Sequence, residues 1–170
     1  MYVTQDCVID TMQAEDWDAV RAIYLEGIAT GNATFEKSAP DWEKWDASHL
    51  RSCRLVARSA ENVLGWAAVS PVSGRCVYAG VAEVSVYVAE RARGQKIGSR
   101  LLDALVKASE REGIWTLQAG IFPENVSSIS LHSRCRFRIV GKRERLGNMD
   151  GRWRDVVLME RRSSLVGTDI

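Results

Sequence analysis

Ala82-Glu-Val-Ser-Val-Tyr-Val-Ala-Glu-Arg-Ala-Arg-Gly-Gln-Lys-Ile-Gly98, running on into Ser99-Arg-Leu-Leu-Asp-Ala-Leu-Val106, decides how this chain folds. Its first part alternates as a β-strand does, and its last part sets Ile97, Leu101, Leu102, Leu105 and Val106 on one face of a helix. Between them lies a turn rich in arginine and glycine. A strand–turn–helix unit aims the unpaired backbone N–H groups of a helix N-terminus at one point, and such a point suits a phosphate. Arg91, Arg93, Lys96 and Arg100 add positive charge there, while Glu83 is the acidic residue inside the apolar strand. The turn is therefore expected to grip an anionic cofactor and the strand to carry chemistry.

Working outward, Gly113 ends the helix and Trp115–Phe122 reads as the next strand. A helix follows from Pro123 to Cys135, on which Asn125, Ser128 and His132 fall at i, i+3 and i+7 and share a face. Phe137–Leu146 and Trp153–Arg161, joined across Gly147–Gly151, read as an antiparallel pair, and Ser163–Ile170 as a frayed tail. Upstream, a strand-like segment (Val3–Met12) precedes a helix marked by Trp17, Val20, Ile23, Tyr24 and Ile28. A loop over residues 31–40 leads to a second helix from Asp41, whose Trp42 and Trp45 either pack or cover a ligand. Cys53–Ser59 and Val63–Ser70 form a hairpin around Ala60–Asn62. The order predicts an α+β fold with a largely antiparallel sheet, residues 81–121 supplying its parallel crossover.

At 170 residues and 46% hydrophobic, the chain fits one domain, residues 1–162, with residues 163–170 as tail. A net charge of +1 gives no general pull toward nucleic acid or an anionic membrane, so an anion site must be local. No run approaches the roughly 18 apolar residues of a membrane span, and the N-terminus lacks the basic-then-apolar order of a secretion signal. A soluble, cytoplasmic protein is expected. Cys7, Cys53, Cys76 and Cys135 are scattered, and the histidines are His49 and His132; neither a metal nor a disulfide is expected from them.

The central strand, basic turn and helix, then Gly120-Ile-Phe-Pro-Glu-Asn125 and Ser127-Ser-Ile-Ser-Leu-His-Ser-Arg-Cys-Arg-Phe137, resemble the GNAT superfamily of acetyl-CoA-dependent N-acetyltransferases over about residues 8–162. Within it the chain is similar to the branch that acetylates the α-amine of small amino acids and of antimetabolites such as phosphinothricin, methionine sulfoximine and arsinothricin. Thr34-Phe35, Arg75, Tyr78, Glu83-Val-Ser-Val-Tyr-Val88, Asn125, Leu131-His132 and Trp153-Arg-Asp-Val156 carry that likeness. It implies a mixed, mostly antiparallel sheet of about seven strands with about four helices, acetyl-CoA as cofactor, a small-molecule amine as partner, and a homodimer. It also implies a cofactor site of Val86, Val88, Arg91, Arg93, Gly94, Gln95, Lys96, Ile97, Gly98, Ser99, Asn125 and Ser128. Two residues depart from the family pattern: Lys96 stands where the turn has its first glycine, and Arg136 where a helix-ending glycine is usual. Lys96 is read as the first helical residue, with unstrained backbone; the Cβ of Arg136 does not suit a left-handed cap.

An amino acid arrives as an ammonium ion, so attack on a thioester needs a base, and Glu83 is the candidate against its alternative as a strand-edge surface carboxylate. Its strand should splay from the one at 115–121, freeing backbone N–H groups for the thioester oxygen. His132 is either a proton donor to the leaving thiolate or a packed residue. Arg75 is read as a bidentate clamp for the acceptor's carboxylate, with Phe35, Tyr78 and Tyr87 as pocket walls. Acetylation of another amine, such as a peptide N-terminus or polyamine, and a CoA-binding sensor without turnover are the alternatives.

Overall fold

The computed structural model describes residues 7–168. Its strands are β1 (Val8–Thr11), β2 (Leu55–Ser59), β3 (Asn62–Pro71), β4 (Val81–Val88), β5 (Thr116–Ile121), β6 (Arg138–Met149) and β7 (Arg152–Arg162). Its helices are α1 (Trp17–Ala29), α2 (Trp42–Ser48), α3 (Ile97–Arg111) and α4 (Val126–Arg134). The seven strands form one sheet in the order β1-β2-β3-β4-β5-β7-β6, antiparallel everywhere except between β4 and β5. The expected architecture and its parallel crossover are both present. Residues 3–6 of the first expected strand lie outside the described residues.

Because adjacent strand residues point to opposite faces, β3 and β4 sort the helices. Trp66 and Tyr87, paired in register, stack with centroids 4.9 Å apart and meet Tyr24 of α1; Trp66 also meets Trp45 of α2. Gly65 and Val88 point the other way, toward Ile97 and Leu101 of α3 and the N-terminal end of that helix beside Leu131 of α4. Leu101, Leu102 and Leu105 are completely buried, each stabilising the fold by about 1.5–3 kcal/mol relative to exposure. Trp45 is buried and packs against Trp17, Trp66 and His49, so the packing reading of this tryptophan holds.

Local signals start the helices. Asp16 caps the approach to α1 by accepting from the Gln13 N–H at 2.9 Å, and the Arg58 guanidinium grips the same carboxylate at 3.0 and 3.1 Å. Asp41 caps α2 through the Lys44 N–H, and Asn125 caps α4 through the Ser128 N–H. The segment read from sequence as a frayed tail carries defined contacts: the Ser163 N–H bonds the Trp115 carbonyl at 2.8 Å, and the Arg162 guanidinium bonds the carbonyls of Trp115, Ser163, Val166 and Gly167.

Candidate active site

β4 and β5 are in register only at Val81–Thr116, Ala82–Leu117 and Glu83–Gln118; beyond that point they separate. The Ala89 N–H bonds Leu64 and the Val72 N–H bonds the Val81 carbonyl, so the odd-numbered residues of β4 face β3 with their backbone groups. The Val84 N–H is taken up by the Glu83–Gln118 pairing, and those of Val86 and Val88 consequently point into the gap. A cleft of about 1210 Å³ fills this gap and runs from the turn before α3 to the β6–β7 hairpin. The splay and its free donors agree with the reading from sequence.

At one end of the cleft stands α3. Its first internal bond runs from the Arg100 N–H to the Lys96 carbonyl at 3.1 Å, leaving the N–H groups of Ile97, Gly98 and Ser99 unpaired. Arg93 and Lys96 from the turn and Arg134 from α4 line this end. Three free donors at a helix N-terminus, three cations and a row of strand N–H groups fit a long, phosphate-bearing thioester.

The turn corrects one expectation. Lys96 is not the first helical residue but the residue before it, at φ +62°, and so holds the left-handed conformation that glycine favours. A β-carbon there costs about 1–2 kcal/mol, accepted at a position whose side chain lines the cleft. Arg136 is also left-handed, at φ +67°. The N–H of Phe137 bonds the His132 carbonyl and that of Arg136 bonds the Ser133 carbonyl, the two bonds of a Schellman cap, with arginine in the glycine position.

That cap brings Phe137 against His132. The Phe137 ring stands edge-on to the imidazole, centroids 5.1 Å apart, and His132 Nδ1 lies 2.8 Å from the Ser128 carbonyl, an acceptor that assigns the ring hydrogen to Nδ1. Burial lowers the pKa of His132 below the ordinary histidine value, so the ring is neutral near pH 7 with a lone pair on Nε2. In that state Nε2 accepts a proton or hydrogen bond and has none to give.

The other end of the cleft is built on the face that Glu83 shares. Gln118 Nε2 donates to Glu83 Oε2 at 2.9 Å, so both side chains lie on one side of the sheet. Register extends this row through Glu160 to Arg138; the next row is Gly120, Leu158 and Gly141, and the one beyond it holds Val156 and Arg143. Phe35, on the loop after α1, closes over this floor. Its ring meets Phe122 at right angles, 4.8 Å between centroids, and lies where a β-carbon on Gly147 would come within 2.6 Å of it. The loop is held by the buried Arg154, which bonds the Gly31 carbonyl and Asn32 Oδ1, lies near Glu124 and stacks 4.0 Å over Phe122. Asn125 Nδ2 also bonds the Asn32 carbonyl.

Of the residues singled out from sequence, Glu83, Val86, Tyr87, Val88, Arg93, Gly94, Lys96, Ile97, Gly98, Ser99, Asn125, Ser128, His132 and Phe35 line this one cleft. Burial raises the pKa of Tyr87 and Tyr24 above the ordinary phenol value, so both stay protonated. Arg91 and Gln95 turn away: Arg91 bonds the Val63 carbonyl, and Gln95 bonds the Arg91 carbonyl. Arg75 and Tyr78 sit together on the exposed turn between β3 and β4, the guanidinium 5.4 Å from the ring, and do not line the cleft. Sequence reasoning passed over Gln118, Phe122, Arg134 and Arg143, of which Gln118 and Phe122 lie on the strand already singled out. Burial pushes the Cys135 thiol up to about 12, which leaves no thiolate for a covalent intermediate at this helix.

A cleft between two diverging parallel strands, with a basic helix N-terminus at one end and a carboxylate at the fork, defines an acyltransferase that lays a phosphate-bearing donor along its sheet. The chain belongs to the acetyltransferase (GNAT) family, whose sequence profile matches residues 14–137. A phosphinothricin N-acetyltransferase of Alcaligenes faecalis is 34% identical over 162 residues, 91% of this chain and 82% of that protein. An L-methionine sulfoximine/L-methionine sulfone acetyltransferase of Pseudomonas paraeruginosa is 30% identical over 154 residues, 85% of this chain and 88% of that protein. The crystal structure of a phosphinothricin acetyltransferase from Sinorhizobium meliloti in complex with acetyl-CoA matches with a TM-score of 0.85 at 28% identity, covering 96% of this chain and 92% of that one. The protein is an N-acetyltransferase, and acetyl-CoA is its acyl donor.

Proposed function

We propose that this enzyme acetylates the α-amine of a small amino acid or of an amino-acid-like antimetabolite of the phosphinothricin, methionine sulfoximine or arsinothricin type, by direct attack in a ternary complex. The position of Glu83 carries the reading: it is the last residue of β4 in register with β5, and its carboxylate faces the cleft where the free N–H groups of β4 begin. The names of the relatives above support the acceptor class.

Acetyl-CoA, when bound, supplies a thioester carbonyl and a sulfur leaving group. Glu83, held by Gln118, takes the proton from the acceptor's ammonium directly or through a water. Val86, Val88 and the α3 N-terminus direct N–H groups into the cleft, where Val86 stabilises charge on the carbonyl oxygen. His132, neutral with Nδ1–H on Ser128, accepts a hydrogen bond from a water that relays to the departing sulfur the proton given up by the attacking nitrogen as the C–N bond forms and the C–S bond breaks. Arg93, Lys96 and Arg134 hold the phosphates. Tyr87 and Phe35 wall the acceptor pocket.

The reading includes a cytoplasmic homodimer. Exposed Ile139, Val140 and Trp153 on the β6–β7 hairpin support a protein-binding surface, and sizing in solution tests it. Among the described residues no helix is long and apolar enough to cross a membrane. Incubation with acetyl-CoA and a panel of amino acids, polyamines and peptides, following thiol release, tests the function. Release with amino acids is expected; release only with other amines would overturn the acceptor class.

A further inference from the structure

The acceptor end of the cleft holds an uncommitted guanidinium as well as an uncommitted carboxylate face. On β6 and β7, Arg138 pairs with Glu160, Lys142 with Asp155, Arg154 is buried against the Gly31 carbonyl, Asn32 and Glu124, and Arg145 and Arg152 do not line the cleft. Arg143 lines the cleft and, among the described residues, makes no ion pair or side-chain hydrogen bond. Arg93, Lys96 and Arg134 also line it, but at the far end around the α3 N-terminus.

Register sets where Arg143 stands. It is opposite Val156, on the side of the sheet shared by Glu83, Gln118, Gly120 and Leu158, and it lies two rows beyond Glu83 and three strands across. At about 7 Å per row and about 4.8 Å per strand, the two groups are too far apart to pair with each other. The floor between them is Gly120, Leu158 and Gly141, and a β-carbon on Gly141 would meet no atom within 4 Å, so that floor is open. Once both side chains lean in, the remaining gap matches a small zwitterion with a hydrogen bond at each end.

We propose that Arg143 receives the carboxylate of an amino-acid acceptor whose amine is held at Glu83, so that the trough selects a zwitterion by its two ends. The planar guanidinium presents paired N–H donors to a carboxylate. This assignment rests on the amino-acid reading given above, and it moves the carboxylate contact from Arg75, which lies outside the cleft of the chain, to β6.

The test compares L-methionine sulfone with its carboxamide, which keeps the amine and the neutral tail but lacks the α-carboxylate. Steady-state kinetics are measured for the wild type, Arg143→Ala, Arg143→Lys and Arg75→Ala. Arg143→Ala is expected to raise KM for the acid by about ten- to a hundredfold while leaving the amide and the KM for acetyl-CoA unchanged, with Arg143→Lys intermediate. Equal effects on acid and amide, no effect on either, or loss of the acid preference in Arg75→Ala alone would overturn the assignment while the amino-acid reading stands. A wild-type enzyme that acetylates other amines but neither probe nor any amino acid would overturn both.

Discussion

Gln118 donates its side-chain amide to Glu83 at 2.9 Å, and these two residues are also the last pair in register before β4 and β5 part. The hydrogen bond that orients the carboxylate thus sits at the fork of the sheet. Glu83→Gln is expected to lower kcat by about 10²–10⁴ and leave acetyl-CoA binding unchanged. Gln118→Leu, which keeps the carboxylate but frees its rotamers, should give a smaller fall in kcat. Thiol release and calorimetric acetyl-CoA binding check both; full activity in Glu83→Gln would remove it from the mechanism.

Lys96→Gly separates strain from charge. Relief of the left-handed backbone should stabilise the unliganded protein by about 0.5–1 kcal/mol, a rise in Tm of about 1–4 °C. Loss of the ammonium should weaken acetyl-CoA binding and flatten its dependence on salt. Melting curves and dissociation constants at two ionic strengths measure the two effects independently.

Arg136→Gly offers a contrast, since Arg136 holds the same backbone region but does not line the cleft. It should stabilise by a similar amount and leave kinetic constants unaltered. A changed kcat would mean that the cap, through Phe137, sets the position of His132.

Gly147→Ala should act on the acceptor alone. Its new methyl group meets the Phe35 ring at 2.6 Å and must push it off Phe122. A severalfold higher KM for the amine is expected, with the KM for acetyl-CoA unchanged.

Acid should destabilise the protein in two stages. Burial lowers the pKa of both His49 and His132, so below about pH 6.5 the unfolded chain takes up protons that the folded one refuses, and stability falls as pH drops through that range. Asp46 and Asp155, whose pKa values are lowered by hydrogen bonds from Arg54 and from the Arg145 N–H, give a second loss only below the ordinary carboxylate range. Denaturant midpoints across pH check this. Replacing His49 by Gln should remove part of the first stage and none of the second.

What the sequence disclosed was mostly local. The alternation of β4, the basic turn and the stripe of α3 are contiguous patterns, and Glu83, Asn125 and His132 could be placed from them. Lys96 could not, because the same letters permit a first helical residue or a left-handed one, and here both Gly94 and Lys96 are left-handed, at φ +75° and +62°. Arg91 belongs to the same basic cluster, yet its side chain folds back to Val63, a contact 28 positions away along the chain that local pattern could not reveal. Arg143 was hidden for another reason. The register of β6 slips between Ile139 and Gly141 and again between Arg143 and Gly147, so counting alternate residues along that strand does not give their face.

The order of the sheet also bears on how the enzyme is made. Among the described residues β7 is the last strand in sequence, yet it lies between β5 and β6 and is the strand that joins them. While a ribosome is still adding residues, β6 has no neighbour and β5 presents a bare edge, so the wall carrying Val156, Leu158 and Arg143 cannot exist until synthesis has passed Arg162. At about 5–20 residues per second that interval lasts on the order of seconds, during which the nascent chain exposes an unpaired strand edge of the kind chaperones shield.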